Sequence, residues 1–98
     1  MKITKTQNGT VLQVALDGRL DTTTAPDLEN ELKYCLDDVT DVTMDLAKLD
    51  YISSAGLRVL LSVHKALQGK GGLKLINVNE IVGEVFEVTG FSDILTIE

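Results

Sequence analysis

Ninety-eight residues, 44% of them hydrophobic, are enough for one compact domain with one core, so a single domain over residues 1–98 is expected. Fifteen acidic against nine basic residues leave a formal net charge of -6, which argues against a nucleic-acid binder because phosphate neutralisation needs a clustered positive surface. No apolar run approaches the ~20 residues needed to cross a bilayer, and the start MKITKTQNGT lacks the apolar core of a secretory signal; a cytoplasmic protein with no direct membrane binding is expected.

The chain opens with two predicted strands, Ile3 to Thr6 and Val11 to Leu16, joined at Asn8-Gly9, a pair that supplies the positive φ values of a tight hairpin. After Gly18, the stretch Asp21-Thr22-Thr23-Thr24 leads into a helix. Thr24 is its candidate N-cap, Pro26 is tolerated in the first turn and Asp27 complements the positive end. The predicted buried stripe is Ala25, Leu28, Leu32, Cys35 and Leu36. Cys35 is the lone cysteine and can form no internal disulfide; its place in this repeat suits a small buried hydrophobe.

Val42, Met44 and Leu46 alternate with Thr43 and Asp45, the period-two pattern of a strand with one face in the core. A second helix is expected from Ser54 to about Leu67, with Arg58, Ser62, Lys65 and Gly69 on one line opposite Leu60, Val63 and Leu67. Gly69-Lys70-Gly71-Gly72 stops it, and Leu73 to Ile76 forms another strand. Asn79 can cap a third helix that carries Ile81, Val82, Val85 and Val88, Gly90 ends that helix, and Ile94 to Ile97 is a last short strand. A starting hairpin followed by strand-helix-strand units predicts an α/β fold with a mixed sheet of four to five strands and crossover helices.

The segment Leu49-Asp50-Tyr51-Ile52-Ser53-Ser54-Ala55-Gly56-Leu57 puts two hydroxyls between a core strand and a helix, where backbone N–H groups lack intrahelical partners. Either serine could cap the helix, which is the reading that position alone favours. A phosphate on Ser54 would bring roughly −1.5 to −2 charges to the positive helix end without unfolding anything. Gly56, so early in a helix, costs ~1 kcal/mol relative to alanine; either another backbone approaches closely or the first turn simply tolerates it.

Tyr51-Ile52-Ser53-Ser54-Ala55-Gly56-Leu57-Arg58-Val59-Leu60-Leu61 resembles the signature of STAS domains, specifically the bacterial anti-sigma factor antagonists. Gly18-Arg19-Leu20-Asp21-Thr22-Thr23-Thr24-Ala25 also resembles the family's Gly-Glu-Leu-Asp followed by Thr-Ala, and Asp45-Leu46 and Asn77 to Gly90 fit in order, so the likeness spans nearly the whole chain. The family's central motif commonly reads Asp-Ser-Ser/Thr-Gly-Leu, and aligning on Gly56-Leu57 puts Ser54 on its phosphorylated serine. This chain departs from the pattern at Ser53, where aspartate is common, and at Arg19, where glutamate is common. Both departures remove negative charge near the site and bear on kinase recognition more than on fold.

The resemblance implies partner switching. The unmodified domain would bind an anti-sigma factor of the histidine-kinase-like ATPase fold, which then releases its sigma factor. That partner would use its own ATP and Mg²⁺ to phosphorylate Ser54 and loosen the complex, and a PP2C-type phosphatase would restore it. The domain itself would need no cofactor and perform no chemistry. Asp21, Thr22, Ser53, Ser54, Ala55, Gly56 and Arg58 are the implied partner-contact residues. Asp21 would either position or repel the phosphate near the loop, or be an exposed residue that favours the bend.

Other chemistry finds little support in the residues. His64 is the single histidine, with no paired cysteine to build a zinc site, and lies over two helical turns from Ser54, too far to act as its base. Gly69-Lys70-Gly71-Gly72 runs from helix to strand, the reverse of a phosphate-binding P-loop. A sensor holding a small ligand near Asp21 and Ser54 lacks a phosphate-cradling glycine pattern there. The main rival is a non-switching STAS-like docking piece, such as the small subunit of a lipid-transport ABC system or part of a signalling scaffold. A monomer is expected.

Overall fold

A computed structural model describes residues 1–98. β1 (Lys2–Asn8) and β2 (Val11–Leu20) pair antiparallel with Asn8 opposite Val11. The hairpin loop is therefore Gly9-Thr10 rather than Asn8-Gly9. Gly9 alone of the two has a positive φ, 65°, at the first central position, where a II′-type turn uses glycine.

β3 (Asp41–Ile52), β4 (Gly72–Ile76) and β5 (Thr96–Ile97) add in parallel to β2, giving one mixed five-stranded sheet in the order β1-β2-β3-β4-β5. The helices α1 (Ala25–Lys33), α2 (Ser54–Ala66) and α3 (Glu80–Val88) form the crossovers. Leu12, Val14 and Leu16 of β2, Val42, Met44 and Leu46 of β3, and Leu73 and Leu75 of β4 turn to the buried face. Leu28 and Leu32 of α1, Leu57, Leu60 and Val63 of α2, and Val82 and Phe86 of α3 close over them in one cluster.

Two predicted helix faces need correction. α1 stops at Lys33, leaving Cys35 and Leu36 half-buried beside a 3-10 turn over Leu36–Asp38. The Cys35 N–H donates to Leu32 O (2.9 Å), while Glu31 O accepts instead from Cys35 Sγ (3.4 Å) and Lys5 Nζ (3.4 Å). The last turn is thus of the tighter i→i−3 kind, and side chains satisfy the carbonyl that would have continued the helix. In α3 the core contacts come from Val82 and Phe86, whereas Ile81 and Val88 are 65% and 81% exposed.

β2 and β3 also run further than their alternation predicts. Register shifts between Ala15/Asp17 and between Gly18/Arg19 break the period of two and bring Leu20 opposite Ile52 at the end of the pair. Those last strand residues hold the loops of interest.

Candidate functional site

Because β2 and β3 are parallel, their carboxyl ends leave the sheet side by side, the usual place for function in such sheets. The Ser53 N–H donates to Leu20 O (2.9 Å), which ties the start of α2 to the end of β2. Asp21-Thr22 and Ser53-Ser54 consequently emerge next to each other.

Asp21 is built into a fixed turn. Its Oδ1 accepts from the Thr23 hydroxyl (2.7 Å), the Thr23 N–H (3.0 Å) and the Thr24 N–H (3.1 Å). Thr24 stands at the N-cap of α1, but its hydroxyl makes no cap bond; it accepts from the Asp21 N–H (2.8 Å) and donates to Arg19 O (2.8 Å). The expected capping by Thr24 is thus replaced by a turn that the Asp21 carboxylate organises. The Thr23 hydroxyl, followed by the Thr23 and Thr24 N–H groups, holds the Asp21 carboxyl down at about 2, against an ordinary 3.8.

The two serines divide the work at the head of α2. Ser53 is the N-cap, extended at φ -98 and ψ 174, and its side chain accepts from the Gly56 N–H at 3.3 Å. Ser54 is the first helical residue; it is exposed, and its hydroxyl makes no hydrogen bond within the chain. The first turn of α2 carries no acidic side chain, so nothing there neutralises the positive end of the helix dipole.

Gly56, one of the implied contact residues, is buried. A Cβ there would lie 2.7 Å from Leu20 Cγ and 3.0 Å from Ile52 Cγ1. Of the two readings left open for Gly56, neither a close backbone nor simple tolerance describes it: glycine lets α2 sit down on these two strand-end side chains. Ala55 is half-buried against the core, while Thr22 and Arg58 are exposed. The surface around the site is therefore Thr22, Ser54 and Arg58, with Asp21, Ser53 and Ala55 partly beneath it.

Sequence reasoning missed one feature here. Arg19 and Tyr51 are register partners across β2 and β3, and the Arg19 guanidinium lies 4.3 Å from the centroid of the Tyr51 ring. Its Nε also stands 3.8 Å from Asp21 Oδ2. The pairing depends on the second register shift, which no reading of either strand alone could supply.

A mixed sheet in sequential strand order with an exposed serine hydroxyl at the head of α2 fits one class of protein, and the chain belongs to it: the STAS domain family model matches residues 2–98. BtrV of Bordetella bronchiseptica, assigned as an anti-sigma factor antagonist, is 42% identical over 99 residues, covering 99% of this chain and 85% of that protein. The anti-sigma-B factor antagonist of Bacillus subtilis is 34% identical over 92 residues, covering 93% and 84% of the two chains. The fold also matches the Bacillus anti-sigma factor antagonist SpoIIAA. Its unphosphorylated structure has a TM-score of 0.85 at 18% identity, covering 99% of this chain and 88% of that one. Its phosphorylated structure has a TM-score of 0.77 at 17% identity, covering 99% and 91%.

Proposed function

We propose that this chain is a switchable anti-sigma factor antagonist: unmodified, it binds an anti-sigma factor through the surface around Ser54, and phosphorylation of Ser54 releases it. The observation that carries the reading is the division of labour between the serines. Ser53 takes the cap, so the Ser54 hydroxyl is left exposed with no bond to lose. Relatives named as anti-sigma factor antagonists and the existence of SpoIIAA in both unphosphorylated and phosphorylated forms support it.

The chain acts here as a binding module, and the chemistry belongs to its partners: a histidine-kinase-like ATPase that supplies ATP and Mg²⁺, and a PP2C-type phosphatase. A dianion at a contact that was neutral costs desolvation and repulsion, and ~1.4 kcal/mol already changes affinity tenfold. Incubation with the cognate anti-sigma kinase and Mg-ATP, followed by intact-mass measurement, tests the assignment. One phosphate is expected on the native chain and on Ser53→Ala, and none on Ser54→Ala. A phosphate that persists in Ser54→Ala refutes the site.

A further inference from the structure

Ile81 and Val88 are 65% and 81% exposed, and Val85, half-buried, lies between them. At i, i+4 and i+7 these side chains form one stripe along α3. Single exposed hydrophobes need no explanation, but here two large aliphatic residues repeat on one helix face. Both are β-branched, so they do not raise helix propensity either. Just beyond the helix, Ile94 adds a further 48% exposed side chain.

Beside that stripe, Glu80, Glu84 and Glu87 repeat at the same spacing, and the groove between α3 and β5 that they line has Val78, Gly83 and Ile97 on its floor. No ion pair engages any of the three glutamates. The face is therefore an apolar line with an uncompensated acidic wall along one side.

We infer that the outer face of α3 docks a basic amphipathic helix of a protein partner, laying apolar side chains on Ile81, Val85 and Val88 and lysines or arginines against Glu80, Glu84 and Glu87. The contact is helix against helix, apolar stripe on apolar stripe outside the groove, with charge fixing orientation and register. A second copy of this chain is disfavoured because an isologous contact brings the same glutamates together. An anionic lipid surface is repelled for the same reason. This face lies on α3 and its groove does not include Ser54 of α2, so its use is taken to be independent of the state of that residue.

The probe is a synthetic peptide of leucine and lysine only, ordered to give one apolar and one basic helical face, with a scrambled peptide of equal composition as control. Amide shifts in ¹⁵N-labelled protein are expected to centre on Ile81, Val85 and Val88. Affinity by fluorescence anisotropy should fall at least tenfold for the scrambled peptide, for the double variant Ile81→Ser/Val88→Ser and for Glu84→Lys, with circular dichroism checking that each variant is folded. Ser54→Asp should leave peptide affinity unchanged, so failure here and failure of the phosphorylation switch are separable. Absence of binding, shifts centred elsewhere, variants that bind like the native chain, or a dimer in sedimentation equilibrium that Ile81→Ser/Val88→Ser dissolves would each overturn the proposal.

Discussion

At the residue scale, two glycines in helices have opposite meanings. Alanine is the better helix former by about 1 kcal/mol, so Gly83→Ala, whose new Cβ meets nothing closer than Val78 Cγ1 at 3.5 Å, should raise the urea midpoint. Gly56→Ala gains the same propensity but drives a methyl group to 2.7 Å from Leu20 Cγ, and Leu20 is fully buried. Overpacking of that kind costs about 1–3 kcal/mol, so this variant should lower the midpoint. Asp21 gives a second test. Its folded pKa is depressed to about 2 from 3.8, so its contribution to stability is complete above the unfolded value and is lost as pH falls from about 4 through 2. Carboxyl-carbon NMR should find no Asp21 titration above pH 3 (roughly one unit over its folded value), and Thr23→Val, which removes the leading donor, should move the midpoint up towards the ordinary value.

At the scale of elements, legibility followed periodicity. The strand faces of Leu12, Val14 and Leu16 and of Val42, Met44 and Leu46, and the extent of α2, could be read directly because their spacing is unbroken. The tails of β2 and β3 could not, since buried Leu46, Leu49 and Ile52 are three apart through the bulged region. Asn79 shows the same limit in one side chain. Its capping of α3 was readable, and Oδ1 does accept from the Val82 N–H at 2.9 Å. Its amide also donates to Leu49 O at 2.7 Å, a tie that exists only because β3 continues past β4. Asn79→Asp keeps the cap acceptor but sets a carboxylate against that carbonyl, so it should fail to rescue Asn79→Ala. Both variants should lose about 1–2 kcal/mol in urea unfolding, whereas a cap acting alone would leave Asn79→Asp close to native.

For the whole molecule, the question is whether the proposed switch works through the fold or through the surface. Ser54 is exposed, its hydroxyl has no internal partner, and the α2 cap belongs to Ser53. A charge added at Ser54 therefore breaks no bond that holds the sheet and helices together. It also sits at the positive end of a 13-residue helix whose first turn has no acidic side chain, where a negative group contributes about 0.3–1 kcal/mol in favour of the helix. Ser54→Asp should consequently unfold at a urea midpoint equal to or slightly above the native one. Its affinity for the anti-sigma partner, measured by calorimetry, should nevertheless fall at least tenfold, while Ser54→Ala keeps both native values. Loss of affinity together with loss of stability would mean that the added charge acts by loosening the head of α2. Native affinity in Ser54→Asp would favour a permanent docking role for this surface.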